Sequence, residues 1–195
     1  MVRRAIDLMG SLLGLVILAP VFAVCAVCVR LSSSGPVFFI QARLGHLGAP
    51  FPLLKFRTMY VGVPDLRNAD GSACSCEGDL RVTPIGRFLR RSSLDELPQL
   101  INILLGEMSL VGPRPDQVDQ LSFYSEYEKR KLLVKPGLTG LAQISGRNSI
   151  PWEKRKALDV EYVERQSVGL DLLILCQTVL YVLCRKDVNS RVAGT

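Results

Sequence analysis

The apolar residues of this chain are spread unevenly. Residues 8–29, LMGSLLGLVILAPVFAVCAVCV, form a run of 22 positions without one charge, long enough for a transmembrane helix. Beyond it the blocks shorten and change period. VFFIQ and FPLLKFRTM read as strands joined through Gly45 and Gly48 as a hairpin. TPIGRFLRRSS resembles a short helix with Arg87, Arg90 and Arg91 on a basic face. In LPQLINILLGEM, Leu97, Leu100, Ile101, Leu104 and Leu105 keep helical spacing up to Gly106. VGPRP is then a rigid extended turn with Arg114 between two prolines. QVDQLSFYSEYEKRKLLV predicts an amphipathic helix, KPGLTGLAQISGRN a glycine-bearing loop, and SIPWEKRKALDVEYVERQS a helix started near Pro151. The final GLDLLILCQTVLYVLC is too short to span a membrane and nearly apolar all round. It predicts a core helix or, with Tyr181 and a basic end, one lying in the headgroup layer. Residues 61–79 lack periodicity and read as a mobile loop.

The long run poses a choice between a straight span and a hairpin that enters and leaves on one side. A cleaved signal peptide is disfavoured by its length and by Arg30 following at once. Pro20 stands mid-run, where it removes a backbone donor, although spanning helices tolerate kinks. Arg3 and Arg4 precede the run, and Arg30, Arg43, Lys55 and Arg57 follow it. The positive-inside tendency would hold both ends in the cytoplasm. Each arm, 8–19 and 21–31, would reach about 16–18 Å at roughly 1.5 Å per residue, against a hydrocarbon core of about 30 Å. The balance favours the re-entrant hairpin. Asp7 stands near Arg3 and Arg4, which allows a local ion pair at the interface.

Composition narrows the chemistry. At 195 residues one domain with a real core is sufficient, and the net charge of +6 suits an anionic membrane face, a phosphorylated substrate or a nucleic acid. Cys25 and Cys28 have zinc-like spacing but lie inside the apolar run, and Cys74 and Cys76 are too close together for a metal pair. All six cysteines, Cys176 and Cys184 included, read as reduced thiols. With His46 as the only histidine, general-base and nucleophile roles pass to carboxylates.

The carboxylates that stand out are Asp95 and Glu96 in RRSSLDELPQL. A structural reading is available: Ser93-Leu94-Asp95-Glu96 fits a capping box, with Glu96 reaching back to the start of a helix that Pro98 requires to begin there. A chemical reading fits equally. A helix start attracts phosphate, and Arg87, Arg90, Arg91 and Arg114 can bind phosphate oxygens. One carboxylate can then attack phosphorus while its neighbour holds Mg²⁺, which commonly takes one or two protein carboxylates.

Taken together, RRAID, the AP pair at the centre of the run, KFRTM, SSLDELPQL, MSLVGPRP, KPGLTGLAQISGRN and WEK resemble the bacterial sugar transferases. More narrowly, they resemble the small monotopic phosphoglycosyl transferases of the PglC type. The likeness runs from Arg3 to about Gln177, with the motifs in family order. It implies transfer of a phosphosugar from a UDP-sugar to polyprenol (undecaprenyl) phosphate with release of UMP. Asp95 would be the nucleophile and Glu96 the Mg²⁺ ligand. Lys55, Arg57, Arg90, Arg114, Arg147 and Gln177 are the implied substrate-binding residues. Where the family breaks its membrane helix near a Ser-Pro pair, this chain has Ala19-Pro20.

The expected fold is α+β and mostly helical. A re-entrant membrane helix occupies residues 1–31, with Arg3, Arg4, Asp7 and Pro20 as its membrane residues. A cytosolic catalytic domain at 32–195 carries a short β-hairpin and interfacial amphipathic helices. The expected location is the cytoplasmic face of a bacterial inner membrane. SGRNSIPWEK resembles the segment of relatives that use UDP-N,N′-diacetylbacillosamine; UDP-glucose or UDP-galactose is the alternative donor. Partners are thus a UDP-sugar, polyprenol phosphate and lipid, not nucleic acid, with a homodimer as another way to cover apolar surface. Rival readings are a membrane-anchored phosphohydrolase working through a phospho-aspartate and a non-enzymatic basic adaptor.

Overall fold

A computed structural model of the protein describes residues 2–66, 78–146 and 150–183. The long apolar run becomes α1 (Val2–Ser32), one helix that continues through Pro20. The two arms expected on either side of Pro20 are thus joined without an interruption in the helix. A proline removes one hydrogen bond and crowds the preceding turn, and packing on both sides of Pro20 holds the helix together. Leu15 and Leu18 meet Phe51, Leu53, Leu100, Ile103 and Met108. Phe22, Cys25, Ala26 and Val29 meet Phe56 and Leu89. These positions recur at helical spacing and define one packed face. The opposite face, with Leu12, Leu13, Val16, Ile17, Val24 and Val27, is exposed.

Polar contacts dock the start of α1. Asp7 is buried and accepts hydrogen bonds from Ser109 Oγ (2.9 Å) and the Leu110 backbone amide (2.8 Å). Arg3 pairs with Asp171 at 2.7 Å. The expected ion pair among Arg3, Arg4 and Asp7 is therefore replaced by partners distant in sequence, because buried amides and carboxylates there need them more than the solvated helix surface does.

The hairpin forms as read. β1 (Phe38–Leu44) pairs antiparallel with β2 (Pro50–Phe56), from Phe38 opposite Phe56 to Leu44 opposite Pro50. α2 (Pro84–Ser92) is capped by Thr83, whose side chain accepts from the Gly86 amide at 2.9 Å. α3 (Gln99–Leu105) stops at Gly106, which has φ +90°. Arg4 adds two donors there, to the carbonyls of Ile103 and Leu104.

Several elements depart from the sequence pattern. SLV, which the pattern assigned to no element beyond Val111 in the VGPRP turn, and GLT, read as loop, form a parallel pair, β3 (Ser109–Val111) and β4 (Gly137–Thr139). A Cβ on Gly137 would lie 2.0 Å from the Gly112 amide nitrogen, so only glycine permits this approach. The amphipathic helix expected over QVDQLSFYSEYEKRKLLV is instead two 3₁₀ segments, Val118–Phe123 and Glu128–Leu133. Tyr124 between them is extended and packs with Leu44 and Trp152, a tertiary contact that outweighs helix propensity. Finally, part of the glycine loop forms α4 (Leu141–Ile144).

α5 (Trp152–Arg165) follows Pro151 as expected, and α6 (Val168–Leu183) closes the described fold. α6 buries Asp171 and Ile174 while Leu172, Leu173, Val179 and Leu180 stay exposed. Of the cysteines, Cys25, Cys28 and Cys176 are free thiols; Cys74, Cys76, Cys184 and most of the 61–79 loop lie outside the described residues.

Candidate active site

Leu94 and Leu97 are three residues apart, so a 3₁₀ turn puts both on one side. That side packs on the cluster of Phe56, Leu89 and Val29. Asp95 and Glu96, in the same Leu94–Glu96 turn, are left to face elsewhere. The turn starts from Ser93, a non-glycine residue with φ +59° that ends α2 in the left-handed region. The capping box expected from SLDE does not form. Ser93 makes no side-chain cap, and Glu96 is occupied with two cations.

Those cations come from two separate parts of the fold. Lys55 Nζ, from β2, and Arg114 Nη2, from the GPRP segment, each lie 2.8 Å from Glu96 Oε1. Burial alone would raise the Glu96 pKa, but Arg114 and Lys55 outweigh it and hold the carboxyl well below the usual range. Asp95 has the opposite fate. It is 9% exposed and accepts no hydrogen bond from the described residues. Burial pushes its pKa up to about 6, with Glu96 adding to the rise and Lys55, Arg90 and Arg114 opposing it. One neighbour is thus a fixed anion, and the other is a desolvated, uncommitted carboxylate.

Arg90 joins the site from α2 and donates to Thr58 Oγ1 at 2.9 Å. Arg57 does not. It is buried just past the end of β2, where it donates to the carbonyls of Pro36 (2.6 Å) and Ser33 (2.9 Å) and clasps the end of α1. Alternation along the strand explains the split, since Lys55 and Arg57 would share a face only if β2 continued past Phe56, where it ends. Arg87 and Arg91 are exposed on α2. Gln177 is exposed on α6 and has no hydrogen bond to the dyad. Arg147 lies outside the described residues.

Sequence reasoning passed over Asn102. Its side chain is wholly buried, accepts from the Leu54 amide (3.0 Å) and donates to the Pro52 carbonyl (2.8 Å) and Glu107 (2.6 Å). It ties the strand of Lys55 to the helix that follows the dyad. The available signal was a lone polar residue inside LINILL.

Among the described residues no group of three or more Asp, Glu, His and Cys converges to hold a metal. A magnesium ion needs less protein than that, because phosphate and water complete its shell. Both hydrogen bonds to Glu96 fall on Oε1. Among the described residues Oε2 accepts no hydrogen bond, which leaves it able to hold one divalent cation shared with a bound phosphate.

Residues 1–185 match the bacterial sugar transferase family. The chain belongs to that family. The transferase is 46% identical over 188 residues to the uncharacterized sugar transferase EpsL of Bacillus subtilis, covering 96% of this chain and 90% of the relative. It is 40% identical to the exopolysaccharide production protein ExoY of Rhizobium meliloti, covering 92% of this chain and 84% of that protein. The UDP-glucose:undecaprenyl-phosphate glucose-1-phosphate transferase of Escherichia coli is 42% identical over 187 residues. The match there takes in 92% of this chain but 39% of the relative.

Proposed function

We propose that this sugar transferase moves a phosphosugar from a UDP-sugar to undecaprenyl phosphate, with Asp95 as the attacking group. The division of labour in the dyad carries the reading. Glu96 is locked as an anion by Lys55 and Arg114, while Asp95 is buried and accepts no hydrogen bond from the described residues. A carboxylate stripped of water and of donors is a better nucleophile than a solvated one. The named activities of the Escherichia coli and Klebsiella pneumoniae relatives support the same reaction class.

In the first displacement an Asp95 carboxylate oxygen attacks the β-phosphorus of the donor. The bond from that phosphorus to the bridging oxygen breaks, and UMP leaves with the electron pair. In the second, a phosphate oxygen of the polyprenol attacks the same phosphorus. The bond to Asp95 breaks, the carboxylate is restored, and polyprenyl-diphosphate-sugar departs. Arg114, with its side chain 41% exposed and one donor on Glu96, has further N–H groups to offer phosphate oxygens. Arg90 supplies a second positive charge. Glu96 would hold Mg²⁺ through Oε2, and the ion, when bound, would offset charge on the diphosphate.

The lipid acceptor places the site at a membrane surface. α1 is long and apolar enough to cross a bilayer by composition, yet both of its ends are tied to the same domain, through Arg3 to Asp171 and through Val29 to Phe56. That supports a helix entering and leaving on one side, with its exposed apolar face and that of α6 in lipid on the cytoplasmic side of the inner membrane. For the sugar, relatives named for glucose and galactose transfer favour UDP-glucose or UDP-galactose over UDP-N,N′-diacetylbacillosamine.

The test is trapping. Protein incubated with Mg²⁺ and UDP-glucose or UDP-galactose labelled at the β-phosphate, without lipid, retains label that undecaprenyl phosphate then removes. Asp95→Asn retains none. Active enzyme that holds no label would refute the covalent step, and sugar phosphate released without lipid would favour the phosphohydrolase.

A further inference from the structure

Behind the GPRP segment lies a charged cluster that the reaction itself does not use. Lys131 is 3% exposed, and its ammonium lies 2.9 Å from Asp116 and 2.6 Å from Asp159, which is also 3% exposed. Tyr124 donates its hydroxyl to the same Asp116 oxygen. One buried cation thus sits between two carboxylates. Such an arrangement is a poor way to gain stability, because desolvation of the charges offsets most of their attraction. α5 is already joined to the Glu128–Leu133 turn by another pair, Lys156 and Glu128 at 2.8 Å. What Lys131 adds is the reach to Asp116, two residues beyond Arg114.

The segment around Arg114 is pinned on both sides. Upstream, the Gly112 amide donates to Thr139 (2.9 Å) and the Gly137 amide donates to the Pro113 carbonyl (2.9 Å). Downstream, the Leu44 amide donates to the Asp116 carbonyl at 2.9 Å, and Lys131 and Tyr124 hold its side chain. Pro113 and Pro115 fix the backbone between. Arg114 is the crest of this bridge, and its guanidinium ends on Glu96. The Asp116 carboxylate also favours the charge on Arg114, after the larger contribution of Glu96.

We propose that the buried Asp116–Lys131–Asp159 cluster is a positioning device for Arg114, setting the height at which its guanidinium meets Glu96 and the donor's phosphates. The inference rests on the phosphotransfer reading above. Lys131 is a positioning residue and touches no substrate. Its effect on turnover passes through Arg114.

A double-mutant cycle tests this. Lys131→Met and Asp116→Asn are each made in the wild-type and Arg114→Ala backgrounds. UMP release is then measured with UDP-glucose and undecaprenyl phosphate, and folding is checked by circular dichroism and thermal midpoint. Asp116→Asn preserves shape and keeps the test open should Lys131→Met fail to fold. Each change is expected to lower kcat about tenfold with Arg114 present and less than twofold in Arg114→Ala, with KM for the lipid unchanged. Equal losses in both backgrounds, or a folded Asp116→Asn protein with wild-type kcat, would overturn the proposal. Failure of the phosphotransfer reading is distinguishable, because the wild-type protein would then release no UMP from UDP-glucose or UDP-galactose with undecaprenyl phosphate, whereas an Arg114→Ala protein with wild-type UMP release would overturn this proposal alone.

Discussion

Asp95 and Glu96 share a turn and differ in what surrounds them. Asp95 carries an elevated pKa of about 6, which has two consequences of opposite sign. A carboxyl whose folded pKa exceeds its unfolded value favours the fold below about pH 4 and opposes it as pH rises through about 6. At pH 7, without Mg²⁺, Asp95→Asn should therefore stabilise the protein by on the order of 1–3 kcal/mol, read as a raised urea midpoint. The same change should abolish transfer. In the wild type, transfer should fall as pH drops below about 6, where the attacking carboxylate is lost to protonation. A pH profile flat down to 4.5 would contradict this role. Glu96 needs no such range, since Lys55 and Arg114 keep it ionised throughout.

At the scale of elements, the site depends on how β2 is held against α3. Asn102 satisfies the amide of Leu54 and the carbonyl of Pro52 from within a fully buried position. Asn102→Ala would leave those groups and Glu107 without partners, a loss of about 2–4 kcal/mol, seen as a lower urea midpoint with an unchanged slope. A cost under about 1 kcal/mol would show that the strand finds other partners. Hydrophobic spacing made the hairpin, α2, α3 and α5 legible, since each keeps its own period. It misread residues 118–133, where Tyr124 leaves the helical path to reach Leu44, Trp152 and Asp116. It also missed the β3–β4 pair, whose three-residue strands are too short to show alternation.

For the molecule as a whole, the question is which side of a membrane each end of α1 occupies. Arg3 is bound to α6, and the far end is clasped by Arg57 and Phe56. Single cysteines at Val2 and Ser34, in an otherwise cysteine-free chain, should both resist an impermeant maleimide in intact cells and both react once cells are opened. Labelling of one end from outside would establish a straight span. The chain by itself determined the family, the long apolar helix, the β-hairpin and the acidic pair, because these are written in local periodicity and contiguous motifs. Only the tertiary structure decided that Glu96 is clamped by two cations while Asp95 accepts no hydrogen bond from the described residues, that Arg57 serves α1 and not the site, and that Lys131 lies behind Arg114. Those outcomes depend on which distant side chains share a buried space, and burial sets the strength of every charge in it.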